Sequence, residues 1–191
     1  MEGFKYYAVF KPFDMLSQFT GEPGDSLLGD LHKFPKDVYP VGRLDKDSEG
    51  LLLLTNDNRF KNRLLDPKYK TPKTYYVQVD GAITAEAVTK LSEGSIHIKH
   101  KGKNYRVAPA VCRAIADPDF PERSKPIRFR KNIPTSWIAL TIGEGKNRQV
   151  RKMTAAAGFP TLRLVRFRIG NLDLGSMQPG EVREIRPDQV L

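Results

Sequence analysis

The sequence predicts an α+β fold in which a mainly antiparallel sheet is flanked by short helices. Short apolar or alternating segments recur along the 191 residues, and most are bounded by Gly, Pro, Asn or Asp, which is typical of strands. Only four segments have the periodicity of a helix, and all four are short. A chain of this length buries a sizeable core by itself. Its single cysteine, Cys112, indicates neither a disulfide framework nor a metal cluster.

Strands and helices alternate on both sides of a charged loop at residues 42–50. The predicted strands are residues 4–10, 38–41, 51–54, 74–80, 96–99, 105–108, 110–116, 136–142, 161–170 and 181–185. The predicted helices are residues 26–33, 58–65, 84–92 and 148–157. In the strand at residues 161–170, we expect Leu162 and Leu164 on the face opposite Arg163 and Val165.

A long loop at residues 13–24 precedes the first predicted helix, which Asp25 can cap. The loop carries Phe13, Gln18 and Phe19, side chains that can contact a ligand. Loops of this length are uncommon in compact domains and are often functional, so we expect a functional role for this one.

The charged loop, GRLDKDSEG at residues 42–50, is the feature around which the prediction of function is built. It contains Arg43 and three carboxylates, Asp45, Asp47 and Glu49, and four consecutive leucines follow it. A short apolar run of this kind predicts a buried strand, which would hold the carboxylates at the rim of a rigid sheet. Taken alone, the cluster is more typical of a solvated acidic turn than of a catalytic loop.

The net charge of +10 is concentrated in one part of the chain. Residues 121–171 contain twelve Lys or Arg and two Glu, so this segment accounts for the whole excess. Such a concentration is typical of a nucleic-acid binder. A membrane partner is disfavoured, because there is no basic amphipathic helix of useful length and no long apolar run. We therefore expect a cytoplasmic protein.

The predicted helix at residues 148–157 combines two features of a phosphate site. The turn before it, GEGKN at residues 143–147, would expose backbone N–H groups at a helix N-terminus, where anions are stabilised. Its basic residues Arg148, Arg151 and Lys152 lack the acidic partners that a purely structural helix face tends to have.

Together, the carboxylates and the basic segment leave three functions open: an enzyme that modifies a nucleoside within RNA, a nucleosidase, and a non-catalytic RNA-binding module. A carboxylate can stabilise or trap a sugar cation, which on a nucleoside means breaking the bond between base and ribose. A nucleosidase would need a second carboxylate, for which Asp47 and Glu49 are the nearest candidates. A non-catalytic RNA-binding or ribosome-assembly module would explain the basic segment but would not need a fixed Asp45.

The motifs resemble those of the RsuA-like family of bacterial rRNA pseudouridine synthases. Residues 42–57, GRLDKDSEGLLLLTND, resemble the family's catalytic-aspartate signature. Two further motifs follow in the family's order, KTYYV at residues 73–77 and EGKNRQVRKM at residues 144–153, and LVRFRIG at residues 164–170 closes the series. The resemblance extends from residue 4 to about residue 186.

The resemblance is stronger for one branch of the family, which acts on the large ribosomal subunit, through residues 11–20, 130–137 and 158–164. It implies the pseudouridine synthase fold, with residues 1–191 as a single catalytic domain of two lobes and a central active-site cleft. Because the first catalytic strand begins near residue 4, we expect no S4-like RNA-binding module before it.

The resemblance also implies the reaction, the site-specific isomerisation of uridine to pseudouridine in 23S rRNA. Asp45 would act at C1′ of the target uridine, whose uracil detaches, turns and rejoins through C5, by either a covalent adduct or a glycal. Tyr75 would stack on the base, Arg151 would pair with Asp45 and keep it ionised, and Arg43 would contact the neighbouring phosphate or help to displace the base.

The remaining expectations concern binding. The expected RNA-binding residues are Lys146, Arg148, Lys152, Arg163, Arg166 and Arg168. Asp47 would pair with a nearby cation, and Glu49 would accept hydrogen bonds from backbone N–H groups. We expect no cofactor or metal, because the uracil is retained and nothing is oxidised. The partner would be rRNA, free or in an assembly intermediate, and the protein would be a monomer that flips its target base.

Overall fold

A computed structural model describes residues 3–128 and 130–191, and its contacts divide the chain into two compact units. The first unit comprises the described residues up to Thr71, together with Pro121–Lys125 and Arg166–Leu191. The second unit comprises the described residues of Pro72–Phe120 and Pro126–Val165.

The elements confirm the predicted α+β class. The strands are β1 (Tyr6–Lys11), β2 (Tyr39–Pro40), β3 (Glu49–Thr55), β4 (Lys73–Asp80), β5 (His97–His100), β6 (Lys103–Arg106), β7 (Val111–Ile115), β8 (Thr135–Ile142), β9 (Thr161–Ile169), β10 (Leu172–Asp173) and β11 (Val182–Glu184). The helices are α1 (Asn58–Leu65), α2 (Ala85–Ser92) and α3 (Gln149–Ala156), and 3₁₀ turns occur at Leu28–Asp30, Pro67–Tyr69 and Pro187–Gln189. Within the part of the chain that the structure describes, no helix is long and apolar enough to cross a membrane.

In the first unit the central strand is β3, which holds the four leucines. The strand order is β11–β1–β3–β9, and β1 pairs antiparallel with both β11 and β3. Every residue of β3 is buried, because neighbouring strands and loops cover both of its faces. Leu52 and Leu54 pack with Val9 of β1 and with Leu44 of the charged loop, so the loop is anchored in the core of this unit.

In the second unit β4 and β8 form the longest antiparallel pair, within the strand order β9–β4–β8–β7. The alternation predicted for β4 is confirmed, since Tyr75, Val77 and Val79 are buried and the residues between them are not. These side chains pack on Met153 of α3 and Leu91 of α2, which places both helices on the same core.

Two local predictions were wrong. Residues 26–33 form only the 3₁₀ turn at Leu28–Asp30, because Asp30 accepts the hydrogen bond from Leu27 N–H while Asp25 bonds to Glu22 N–H and Lys46. With Asp25 engaged elsewhere, an α-helix has no cap at this position. The expected alternation in β9 also fails, since residues 163–166 are all buried, which requires cover on both faces of the strand.

Gly50 is the residue of β3 that permits the close approach of β9. Its φ of 108° favours glycine, and a Cβ there would lie 2.6 Å from Arg166 N and closer still to Arg166 O. Backbone atoms of a central strand cannot move aside as the end of a flexible side chain can, so the position excludes any side chain.

We expect Gly50→Ala to lower the free energy of unfolding by about 2–4 kcal/mol more than Gly102→Ala does. Gly102 is the matched control, because its φ of 76° is also positive while a Cβ there would meet nothing within 4 Å. Urea denaturation of the two variants measures the difference. Equal losses would mean that backbone strain alone, and not the contact with Arg166, makes glycine necessary at residue 50.

Candidate active site

Asp45 lies in the charged loop of the first unit, immediately before β3. Its carbonyl oxygen accepts a hydrogen bond from Ser48 N–H at 3.0 Å, which closes a tight turn over residues 45–48. Its side chain is half-buried, so the carboxylate is held by the protein and still reaches solvent. This combination of a fixed backbone and an accessible charge suits a group that acts on a bound substrate.

The residue before Asp45 is fixed from both of its backbone groups. Ser17 Oγ accepts a hydrogen bond from Leu44 N–H at 3.0 Å and donates one to Leu44 O at 2.9 Å. Ser17 is itself buried, so water does not compete for these bonds. Ser17 belongs to the long loop at residues 13–25, which we call the clamp loop.

The clamp loop makes further contacts with the charged loop on the other side of Asp45. Asp14 N–H donates to Lys46 O at 2.9 Å, and Lys46 Nζ donates to Asp25 Oδ1 at 2.9 Å. Arg43 Nη2 also donates to Gln18 Oε1 at 2.9 Å. The guanidinium of Arg43 is thus positioned by the clamp loop, and its side chain remains exposed for a ligand.

Lys11 connects the clamp loop and the charged loop through its buried ammonium. It is the last residue of β1, pairs with Gly50 of β3, and is fully buried, with 0% exposed surface. Its ammonium donates to Met15 O at 2.7 Å, to Pro12 O at 2.9 Å and, at a longer 3.5 Å, to Lys46 O. A single cation therefore binds carbonyls from both the clamp loop and the charged loop.

Two opposing effects set the protonation of Lys11. Burial lowers the pKa of Lys11 to about 8, and the carboxylates of Glu49, Asp47, Asp14 and Asp45 act in the opposite direction. Glu49 makes the largest of these electrostatic contributions, and it is almost completely buried, with 1% exposed surface. The ammonium therefore lies within the field of all three carboxylates of the charged loop.

The second unit holds the other two residues with expected roles at the reaction centre. Tyr75 is on β4, 9% exposed, and packs in the core of that unit with Leu140 opposite it on β8. Arg151 is on α3 and is half-buried. Asp45 belongs to the first unit, so the expected pairing of Arg151 with Asp45 and the stacking by Tyr75 stay predictions.

The turn before α3 is organised by Glu144. Its Oε1 accepts hydrogen bonds from Ala108 N–H at 2.8 Å and from Gln149 Nε2 at 2.7 Å, and its Oε2 accepts one from Tyr105. Burial alone would raise the pKa of Glu144, but these bonds and nearby Lys146 lower it overall, so the group stays ionised. Gln149 Oε1 in turn accepts a hydrogen bond from Lys146 N–H at 3.0 Å.

The expected RNA-binding residues divide by exposure. Arg148 precedes α3 in a left-handed conformation (φ 50°) and is exposed, and Arg168 is exposed beside Asp173. Lys152 is half-buried and donates to Lys99 O at 2.8 Å. In contrast, Arg163 and Arg166 are 7% and 5% exposed.

The burial of Arg166 favours a structural role over the expected RNA contact. Its Nε donates to Leu51 O of β3 at 2.8 Å, next to the Gly50 position that β9 approaches most closely. Arg163 lies 5.8 Å from the Phe120 ring, within the second unit. The sequence pattern did not separate these arginines from the exposed ones, because exposure depends on which strand faces are covered.

Four groups were not assigned a role from the sequence: Lys11 and Ser17, which hold the charged loop, and Glu144 and Gln149, which hold the turn before α3. For Lys11 the sequence contained one usable signal: this charged residue directly follows the apolar residues of a predicted strand. Ser17 had no signal, because its two bonds to Leu44 join residues that lie 27 positions apart.

Comparisons with known proteins identify sequences and a fold that this chain resembles. The sequence model of the RNA pseudouridylate synthase family matches residues 5–156. The ribosomal large subunit pseudouridine synthase E of Vibrio parahaemolyticus is 52% identical over 176 residues, which are 92% of this chain and 71% of that protein. The ribosomal large subunit pseudouridine synthase B of Bacillus subtilis is 38% identical over 186 residues, covering 97% and 69% of the two chains.

A solved structure of a pseudouridylate synthase superposes with a TM-score of 0.76 at 25% identity, covering all of this chain and 74% of that one. The expected fold is therefore confirmed. The expected resemblance to the branch that acts on the large ribosomal subunit, whose members are named synthase E, is confirmed as well.

We expect Lys11→Met to lower the free energy of unfolding by about 2–4 kcal/mol, because three carbonyls lose a donor and Glu49 and Asp47 lose a cation. The matched control is Lys5→Met, since Lys5 is an exposed lysine that precedes the same strand. Its effect should stay within about 0.5 kcal/mol. A Lys11→Met protein as stable as the control would show that the ammonium does not hold the loops.

Comparison of the wild type with Lys11→Met should reveal the titration of Lys11. Its pKa is about 8 in the folded state and 10.5 in the unfolded state, so between these values the unfolded state binds more protons. The unfolding free energy of the wild type, relative to Lys11→Met, should therefore rise from pH 8 to pH 10.5, by about 3 kcal/mol. Denaturation curves across this range measure it, and a flat difference would contradict the burial of the charge.

Proposed function

The chain belongs to the RNA pseudouridylate synthase family, and on that premise we propose that it converts a specific uridine to pseudouridine in the 23S rRNA of the large ribosomal subunit. It is an isomerase that acts on RNA. The names of the relatives support the choice of the large subunit, since they are ribosomal large subunit pseudouridine synthases.

One observation carries the assignment of Asp45 as the catalytic carboxylate. Both neighbours of Asp45 are bonded through their backbones, Leu44 to Ser17 and Lys46 to Asp14 and Lys11, while Asp45 itself keeps an accessible side chain. A catalytic group has to be held close to its productive position, and a displacement of about 1 Å can cost about 100-fold in rate. Glu49 does not combine these properties, because it is buried. Asp47 is half-buried as Asp45 is, and Asp45 is preferred because Ser17 fixes Leu44 directly before it and because it occupies the aspartate position of the family's signature.

In the proposed reaction Asp45 acts at C1′ of the target uridine. The bond from C1′ to N1 of the uracil breaks, the base turns, and a bond from C1′ to C5 forms. N1 gains a proton and C5 loses one, so the product has the same composition as the substrate and no oxidant or cofactor takes part. The reaction requires the uridine to leave its stack, because its C1′ and base are otherwise covered by neighbouring nucleotides.

The roles of the other groups follow from the family resemblance. We propose that Tyr75 stacks on the uracil, that Arg151 keeps Asp45 ionised, and that Arg43 contacts the adjacent phosphate or helps to displace the base. Because these groups come from both units, we propose that residues 1–191 act as one catalytic domain. The exposure of Arg43 and its support by Gln18 are consistent with a contact to RNA.

For RNA binding, we propose that Lys146, Arg148, Lys152 and Arg168 contact phosphates. We propose that Arg163 also contributes to RNA binding. The strong positive charge of the chain favours an RNA recognised by its shape and phosphates. We further propose that the protein acts as a monomer in the cytoplasm, on free 23S rRNA or on an assembly intermediate that leaves the target loop accessible.

We expect Asp45→Asn to abolish pseudouridine formation while RNA binding changes by less than about threefold, because the substitution removes one charge and almost no volume. The control Glu22→Gln removes an exposed carboxylate from the clamp loop and should keep full activity. Pseudouridine mapping of rRNA incubated with each protein, with a binding assay on the same RNA, gives both quantities. Full activity of Asp45→Asn would disprove the assignment.

We expect Arg148→Asn to weaken RNA binding and to reduce the slope of log K against log salt by about 0.7–0.9 for each phosphate that residue 148 no longer neutralises. Asparagine is chosen because it tolerates the left-handed backbone found at residue 148. The control Lys90→Gln removes a charge from an exposed position on α2 and should leave the slope unchanged. An unchanged slope for Arg148→Asn would exclude a phosphate interaction.

A further inference from the structure

A surface groove in the first unit, apart from the residues assigned above, has the chemistry of a nucleotide site. Helix α1 and the 3₁₀ turn at Pro67–Tyr69 border this open groove, which has a volume of about 660 Å³. The groove, which we call the α1 groove, is lined by Arg59, Asn62, Arg63, Leu65, Lys68 and Tyr69, with Asp66 between them.

The α1 groove is positively charged, although it lies outside the basic segment at residues 121–171. Residues 59–70 contain five basic residues and one acidic residue, Asp66. Asp66 is already engaged, since Oδ1 accepts a hydrogen bond from Lys68 N–H at 3.0 Å and Oδ2 pairs with Lys68 Nζ at 3.2 Å. Within residues 3–128 and 130–191, no carboxylate oxygen lies within 4 Å of a side-chain nitrogen of Arg59 or Arg63, although Asp57 at the start of α1 interacts electrostatically with Arg59.

Tyr69 adds an aromatic platform to these cations. Tyr69 is 42% exposed as a residue, and two cations lie over its ring: the guanidinium carbon of Arg63 is 3.8 Å from the ring centroid and Lys68 Nζ is 4.7 Å from it. A base that stacks on Tyr69 therefore takes the place of one of these cations, which can then turn to an adjoining phosphate. An exposed aromatic ring among cations can stack on an unpaired base while the cations bind the adjoining phosphates. A protein partner would favour a less charged and more apolar surface.

The α1 groove adjoins the loop that carries Asp45. A Cβ at Gly42, the first residue of the charged loop, would lie 3.2 Å from Leu65 Cδ2, so Leu65 packs directly on that loop. Leu65 is also 42% exposed and lines the groove. The groove therefore begins beside the first residue of the charged loop, three positions before Asp45.

From these observations we propose that the α1 groove binds an unpaired nucleotide of the substrate RNA, close in the strand to the target uridine. Tyr69 stacks on its base, and Arg59 and Arg63 bind its phosphates. The proposal rests on the proposed function, in that the strand in question is the one that presents the uridine to Asp45. It adds a second binding region, which would contribute to the choice of uridine without touching the reacting atoms.

The test compares Tyr69→Ala, Tyr69→Phe and Arg63→Ala in binding to a 23S rRNA fragment that the wild type modifies. Loss of one base stack should weaken binding about 5- to 100-fold for Tyr69→Ala, while Tyr69→Phe keeps the ring and stays near the wild type. Arg63→Ala should weaken binding and reduce the salt slope by about 0.7–0.9. For all three variants the single-turnover rate at saturating RNA should equal that of the wild type.

The control is Lys90→Ala, which removes an exposed charge from the second unit and should change neither affinity nor slope. Thermal denaturation of each variant separates weaker binding from impaired folding, and Arg59→Gln provides an independent variant of the same groove. Wild-type affinity in Tyr69→Ala and Arg59→Gln would overturn the proposal. Unchanged binding to the fragment with reduced activity only on assembly particles would assign the groove to a protein and would also overturn it.

The outcomes also separate this proposal from the proposed function. If the wild type modifies the fragment and the groove variants bind it normally, only the groove proposal fails. If the wild type forms no pseudouridine in any rRNA while Tyr69→Ala binds intact 23S rRNA more weakly than the wild type does, the proposed function fails and the groove remains an RNA site.

Discussion

The buried ammonium of Lys11 is the interaction on which the arrangement of the catalytic loop depends. A charge this deep in a protein is unfavourable unless it is hydrogen-bonded and compensated. Carbonyls of Pro12, Met15 and Lys46 bind the ammonium, and the field of Glu49 and its neighbours compensates part of the cost of burial, which still lowers the pKa of Lys11 to about 8. The two loops and the carboxylates therefore stabilise the lysine, and the lysine fixes the loops around Asp45.

This arrangement separates Glu49 from the other two carboxylates of the charged loop, Asp45 and Asp47. Glu49 is buried at the start of β3 and acts on Lys11, so it is not placed to serve as the second carboxylate of a nucleosidase. Asp45 and Asp47 both keep solvent access, and Asp45 differs in that it follows Leu44, which Ser17 fixes. A non-catalytic RNA-binding module would have no use for such a fixed carboxylate, and membership of the family excludes that alternative.

Arg166 and Arg148 show that arginines of the same basic segment serve different purposes in the two units. Arg166 stabilises the sheet, since it bonds to Leu51 where β9 approaches Gly50, whereas Arg148 is exposed in a left-handed turn before α3. The basic segment is thus a mixture of structural and binding residues, and its net charge overstates the surface available to RNA. The α1 groove shows the converse, because acidic residues elsewhere in the chain balance its positive charge and hide it in the total.

The sequence by itself determined the features that depend on neighbouring residues: the strand at the four leucines, the positions of α1 and α2, the alternation of β4, and the loop that carries Asp45. Hydrophobic period and caps act over a few residues, so they can be read locally. Only the tertiary structure decided which charged residues are buried. Lys11, Arg166 and Arg148 look alike in the sequence, but their burial depends on strands and loops that lie far apart in the chain. The failed helix at residues 26–33 has the same cause, because Lys46, 21 positions away, engages the side chain of Asp25 that would have capped it.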